Sequence, residues 1–219
     1  MSRKDKMLLE ACKSGNMEKF EKALKNSLFS KAADLNAADK YGYTALMEAI
    51  NCGQKEIALK LIKMGADVSR QTNSGYETAL LYAAKKNYGD VVKELFDHGA
   101  KNFVNPLYHH DISHSAIAAK AHNALAVFIQ YGLDIVPELY KILGEVGSWG
   151  RANGYPVGKK YPQYDAVRTI GLALYRTGGY EKLVEIYNYV KGDGTDSYTY
   201  LSLLWNHLTD DDGSEIWQM

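Results

Sequence analysis

Apolar residues recur along this chain at intervals of three and four, the period of one face of an α-helix. Ile57, Leu61 and Ile62 make one such stripe, and Val91, Val92, Leu95 and Phe96 another. Farther on, Leu139, Ile142, Leu143 and Val146 follow the spacing 0, 3, 4, 7 behind Pro137, a residue suited to the first turn of a helix. The same spacing returns in Leu183, Ile186, Tyr187 and Val190, and again in Leu201, Leu204, Trp205 and Leu208. The pattern predicts an all-α fold. A single short helix pair cannot bury such stripes alone, but a stack of pairs can.

The stripes belong to a repeat. Asp39-Lys-Tyr-Gly-Tyr-Thr-Ala-Leu-Met-Glu-Ala49 lines up with Thr72-Asn-Ser-Gly-Tyr-Glu-Thr-Ala-Leu-Leu-Tyr-Ala83. Each is followed by a second amphipathic segment, one ending Gly-Ala-Asp67 and the other Gly-Ala-Lys101. Gly42 and Gly75 are 33 residues apart and Gly65 and Gly99 are 34 apart, the extra residue lying between Gly75 and Thr78.

In period and in signature these residues resemble the ankyrin repeat, whose Thr-Pro-Leu-His-x-Ala motif reads here Thr44-Ala-Leu-Met-Glu-Ala49 and Thr78-Ala-Leu-Leu-Tyr-Ala83. The proline and histidine are absent from both copies, which weakens the local turn and leaves the helix-pair pattern intact. Two degenerate copies flank the good ones. Leu8 to Leu24 reads as a first helix pair, with an insertion from Asn26 to Ala33 before its closing Asp34-Leu-Asn36. Ser115 to Asp134 aligns with the third copy, Ala116 on Ala83 and Gly132 on Gly99. The resemblance implies an ankyrin-repeat solenoid over residues 1–134 with short hairpin turns and about four repeats. It also implies that Ala11, Ala49, Ala83 and Ala116 lie where first helices approach each other closely.

After Gly132 the period stops. Residues 135–219 are expected to form a helical C-terminal cap stacked on the array, since the end of a solenoid needs a different outer face. Gly147 to Gln163, with four glycines and two prolines, predicts an irregular loop. Asp165 to Thr177 and Tyr180 to Val190 predict two helices about a Gly178-Gly179 turn. Ten of the seventeen tyrosines and all three tryptophans fall in this half.

Charge narrows the choice of partner. Lysine plus arginine equals aspartate plus glutamate at 26 each, so the chain as a whole has no pull on nucleic acid or an acidic membrane. Its first residues, Met1-Ser-Arg-Lys-Asp-Lys6, lack the apolar run of a signal peptide, and no stretch is long enough to span a bilayer. Cys12 and Cys52 predict two buried thiols in a reducing cytoplasm.

Candidate chemistry is sparse. His109-His-Asp-Ile-Ser-His114 is the densest group of potential metal ligands, yet it fills the slot of a repeat's hairpin turn, where polar residues need no metal. Ser113, His114 and Asp111 lack the glycines of a nucleophile elbow. Gly154-Tyr-Pro-Val-Gly-Lys-Lys160 has the wrong glycine spacing for a phosphate loop, and Lys160 stands where Ser or Thr would bind magnesium. Asp210 to Asp212 reads as a short solvated run. No catalytic residue, metal or cofactor is expected.

The resemblance points instead to a surface. In the ankyrin pattern the hairpin tips and the exposed side of each first helix line a groove, and those positions here are Lys40, Tyr41, Tyr43 and Asn51, then Asn73, Ser74, Tyr76 and Lys85. Tyrosine, serine and asparagine suit contact loops, tyrosine because it offers large area for little lost entropy. The expected function is binding of another protein by a monomeric, non-enzymatic scaffold. The alternative is an enzyme or small-ligand receptor in residues 135–219, with the repeats recruiting its target.

Overall fold

The computed structural model describes residues 1–26, 31–73, 76–101, 112–153, 163–195, 197–206 and 208–217. Ser74, His109, His110, Asp111 and the 154–160 glycine segment lie outside the described residues, as do 27–30 of the insertion. Helices are the repeating element, and among the described residues extended pairing is limited to isolated bridges.

Cα packing divides the chain into two compact units, Met1–Ser115 and Ala116–Met219. The repeat period, by comparison, runs on to Asp134. The first unit holds three helix pairs: α1 (Arg3–Ser14) with α2 (Met17–Leu24), α3 (Ala45–Asn51) with α4 (Lys55–Lys63), and α5 (Ala79–Lys85) with α6 (Gly89–Asp97). First helices pack in a row, α1 on α3 and α3 on α5, while α4 packs on α6. Ala11, Ala49 and Ala83 are fully buried along that row, where only a methyl group leaves room for the neighbouring backbone. Leu46, Ile50, Leu80 and the outer-helix residues Ile57, Leu61, Val91 and Leu95 fill the space between pairs.

The signature threonines explain where the first helices begin. Thr44 Oγ1 accepts from Met47 N at 3.2 Å and Thr78 Oγ1 from Leu81 N at 3.1 Å, each satisfying one orphan donor of a helix start. α1 begins instead with a capping box between Ser2 and Asp5. Each hairpin closes on a single antiparallel bridge, Ala38 with Thr44 and Gln71 with Thr78. Successive hairpins are tied by Asp67 N to Asn36 Oδ1 at 2.7 Å and Asn73 N to Tyr41 O at 2.9 Å.

The unit boundary falls inside α7 (Ile112–Ala118). In the second unit α8 (His122–Gln130) packs on α10 (Tyr164–Gly192), which also packs on α9 (Val136–Asn153) and α11 (Ser197–Trp205). α10 is broken at Gly178 and Gly179, giving the two helices expected on either side of that pair. The expected loop from Gly147 is corrected: α9 continues through Asn153. Glycines cost about 1 kcal/mol each in a helix interior, but Leu139, Leu143 and Val146 are fully buried, so packing of the stripe outweighs that cost. The last helix stops at Trp205, three residues short of the predicted stripe, yet Leu208 is still buried because the chain turns back through a 2.7 Å bond from Leu208 N to Trp205 O.

Candidate functional site

The candidate surface begins at the first described hairpin tip. Asp39 Oδ1 accepts from both Tyr41 N at 2.9 Å and Tyr43 N at 3.0 Å, which folds the tip tightly around Gly42. Lys40 and Tyr41 are thereby pushed outward. Tyr41 is 57% exposed, and the Lys40 ammonium lies 4.7 Å from its ring centroid. At the next tip, Asn73 is exposed and its Nδ2 donates to Lys40 O at 3.1 Å, fixing one tip against the other. Tyr76 is 40% exposed and held at φ 51°, a left-handed conformation that leaves its ring outside the hairpin.

Tyr43 departs from the expected pattern. It is half-buried; its hydroxyl donates to Glu77 Oε2 at 3.0 Å, and its ring lies 6.2 Å from that of Tyr82. Tyr82 donates to the same oxygen at 2.7 Å. Burial, then the bonds to Tyr43 and Glu77, push the Tyr82 phenol well above its ordinary range, so it stays a donor at any working pH. Tyr43 is thus a strut between repeats. The extra residue of the third copy supplies this arrangement, because Glu77 exists only where Tyr-Glu replaces a single Tyr.

The exposed side of the first helices continues the surface. Glu48, only 7% exposed, accepts an ion pair from Lys13 Nζ at 3.0 Å across α1 and α3. The hydrogen bond to Glu48 holds Lys13 above the ordinary ammonium value of 10.5, against the opposing cost of burial. Asn51 lies one turn beyond Glu48 and Lys85 one turn beyond Tyr82, each on its partner's face by the i, i+3 relation, and both are exposed. Of the eight residues expected at the surface, Lys40, Tyr41, Asn51, Asn73, Tyr76 and Lys85 are exposed, Tyr43 turns inward, and Ser74 is outside the described residues. Glu48, Glu77 and Tyr82 were missed by the sequence reading; Tyr82 occupies a variable signature position that could have drawn attention.

The other features resolve into local structure. Cys12 is buried and its thiol is pushed up to about 12 by that burial. Cys52 corrects the expectation of two buried thiols: as the residue closing α3 it is exposed. The acidic run is more structured than a solvated stretch. Asp210 Oδ1 accepts from Asp212 N at 3.0 Å and Ser214 N at 2.9 Å, and Asp211 pairs with Arg176. Among the described residues no group of three His, Cys, Asp or Glu side chains could hold a metal ion, and no helix is long and apolar enough to cross a membrane. The second unit has an open cleft of about 800 Å³ floored by Ile135, Leu174 and Ile186, with Tyr140 and Tyr189 along its edge.

Residues 2–72 match the family model described as ankyrin repeats (3 copies). A curated relative, the B-cell lymphoma 3 protein homolog of Mus musculus, is 35% identical over 78 residues, a stretch that covers 36% of this chain and 17% of that protein.

Proposed function

We propose, from an N-terminal region that is an array of ankyrin repeats and hence a protein-interaction module, that this chain binds another protein through its hairpin tips and the adjoining first-helix faces. The observation that carries the reading is the outward projection of Tyr41 and Tyr76 at successive tips. A large apolar ring left in water at a rigid, hydrogen-bonded turn loses little entropy when a partner covers it, and such aromatic anchors dominate many interfaces. Lys40, Asn51, Asn73 and Lys85 supply the polar surround, and we place Ser74 with them on the repeat register alone.

The test pairs a pull-down from native extract with the double variant Tyr41→Ser/Tyr76→Asn. Asparagine is chosen at 76 because it tolerates the left-handed backbone there. A recovered partner should lose roughly 3 kcal/mol or more of binding energy by titration calorimetry, with an unchanged circular dichroism spectrum. Full affinity in the folded double variant overturns the assignment of the tips. The second reading, a small-ligand receptor within residues 135–219, rests on the apolar cleft of the second unit, whose size is that of a small-molecule site. A ligand retained through native mass spectrometry and lost in Ile186→Glu would favour it.

A further inference from the structure

The cleft of the second unit joins two kinds of surface. Its floor, Ile135, Leu174 and Ile186, is aliphatic and buried. Its edge carries Tyr140 of α9 and Tyr189 of α10, whose ring centroids are 6.4 Å apart and whose planes meet at 68°. Tyr189 is 63% exposed, while Tyr140 is half-buried and its hydroxyl donates to Asp193. Burial, then that bond, push the Tyr140 phenol up to about 12, so it remains a donor at neutral pH and its ring stays set. Two ring faces at such an angle form a corner. A point in the corner can lie within roughly 6 Å of both centroids, the range over which an aromatic face attracts a cation.

The charge around this corner is negative when every group is counted. Residues 133–143 and 181–195, which supply the two tyrosines, contain three lysines and five carboxylates. Both oxygens of Glu185 accept from Lys182 Nζ, at 2.7 and 2.9 Å, and Lys141 Nζ lies 3.7 Å from Glu138, so those four charges cancel in pairs. Lys191 rests with its ammonium 5.9 Å from the ring centroid of Tyr198. Against that one lysine stand Asp134, Glu181 and Asp193, a net charge of −2. The end of α8 adds no charge, and Arg176, close to Leu174 in sequence, is paired with Asp211. Asp134 lies on the cleft itself, its Oδ1 accepting from Val136 N at 3.0 Å, and Asp193 is tied to Tyr140 at the edge. Neutral donors fix these two carboxylates in place and leave their charge intact.

We infer that the cleft takes a small organic cation, an ammonium carried on an apolar body. The body lies on Ile135, Leu174 and Ile186, and the ammonium sits in the corner of Tyr140 and Tyr189, in the field of Asp134 and Asp193. The inference rests on the small-ligand reading of the second unit and names its ligand class; the tip reading does not depend on it. At about 800 Å³ the cleft has the size of a small-molecule site. A neutral apolar ligand would use the floor and gain nothing from the carboxylates. An anion would meet like charge, and the cation on the cleft, Lys182, is already held by Glu185.

The experiment titrates the full-length protein with one phenolic body bearing three head groups: (para-hydroxybenzyl)trimethylammonium, its uncharged isostere para-neopentylphenol, and para-hydroxyphenylacetate. Nuclear magnetic resonance of labelled isoleucine methyl groups reports occupancy of the cleft at Ile135 and Ile186, and the N-methyl protons of the cation report contact with the rings. The cation should bind roughly tenfold more tightly than the isostere. Its N-methyl signal should move upfield under the ring faces, and added salt should weaken its binding alone. Tyr189→Leu keeps an apolar side chain at an exposed position and should remove most of the upfield shift and of the advantage over the isostere. Asp134→Asn keeps an acceptor for Val136 N and should weaken the cation severalfold while leaving the isostere unchanged. A cation advantage that survives both variants would overturn the inference, since neither ring nor carboxylate would then be its source. Cation and isostere bound equally, both perturbing Ile135 and Ile186, would overturn it and leave the small-ligand reading standing. Tightest binding by the carboxylate probe, lost in Lys182→Met, would overturn it and give the cleft to an anion. No perturbation of either isoleucine by any probe would overturn the inference and count against the small-ligand reading as well.

Discussion

Tyr43 and Glu77, thirty-four residues apart, are joined by a 3.0 Å hydrogen bond from the phenol to Oε2, and Tyr82 donates to the same oxygen. One carboxylate thus holds a tip of one repeat to the first helix of the next. Tyr43→Phe should cost about 0.5–1.5 kcal/mol, the usual net worth of a single hydrogen bond, because Glu77 keeps its bond to Tyr82. Glu77→Ala should cost more, since it strands two phenols at once, one of them buried. Urea denaturation of the two variants gives the order directly. A Glu77→Ala midpoint equal to or above that of Tyr43→Phe would mean that the bond from Tyr82 to Glu77 adds nothing to the one from Tyr43.

Gly42 is the tightest point of the first tip. Its φ is +89°, and a Cβ there would lie 2.7 Å from Asn73 Oδ1 and 2.8 Å from Asn73 N, a backbone atom that cannot swing aside. Gly65 has nearly the same φ, +87°, with nothing within 4 Å. Both substitutions to alanine carry the left-handed penalty of roughly 1–2 kcal/mol. Only Gly42→Ala adds a collision between consecutive hairpins, so it should be the more destabilising by about 1 kcal/mol or more. Equal melting temperatures for the two variants would show that the tips are not in contact in solution.

How far this arrangement was legible in the sequence follows from these residues. Gly42 with Gly75, Gly65 with Gly99, and Ala49 with Ala83 recur at the repeat period, and periodic requirements leave periodic traces. Tyr43 and Tyr41 look alike in the sequence, both flanking the same glycine. What separates them is Glu77, placed by a one-residue insertion whose consequence is purely three-dimensional. The helix through Gly147 was hidden for a related reason. Propensity argues for a loop, and the burial of Leu143 and Val146 that overrides it is a tertiary fact.

The Lys13–Glu48 pair should give the N-terminal unit a pH dependence of known sign. Lys13 has its folded value raised by Glu48 above the ordinary 10.5. Such a group adds stability that is fully present below the unfolded value and is lost as pH rises through the folded one. Stability should therefore fall above about pH 10.5 more steeply in the wild type than in Lys13→Met. Lys13 is half in solvent, so the effect is screened and should be about 1 kcal/mol or less. At neutral pH Lys13→Met should be destabilising, since it leaves Glu48 with little water and no cation. Parallel alkaline denaturation curves for the two proteins would rule the pair out as the source.

In the second unit the packing of α10 against α11 turns on Gly171. A Cβ at this buried helical position would stand 2.6 Å from Trp205 Nε1 and 3.0 Å from Leu208 Cδ2. The indole cannot retreat easily, because Trp205 is fully buried, donates through Nε1 to Val167 O at 3.1 Å, and packs edge-on against Trp217 with ring centroids 5.3 Å apart. Two effects compete in Gly171→Ala. Helix propensity favours alanine by about 1 kcal/mol, while overpacking against a fixed ring costs roughly 1–3 kcal/mol and breaks a buried hydrogen bond. Destabilisation should win, accompanied by a shift in tryptophan emission as the Trp205 indole moves. The decisive comparison is the same substitution in a Trp205→Phe background, where the phenyl ring lacks the colliding nitrogen. There Gly171→Ala should lose most of its cost and approach the gain expected from helix propensity alone. If it is equally destabilising in both backgrounds, the clash with Trp205 is not its cause and the register of α11 on α10 must differ from the one described.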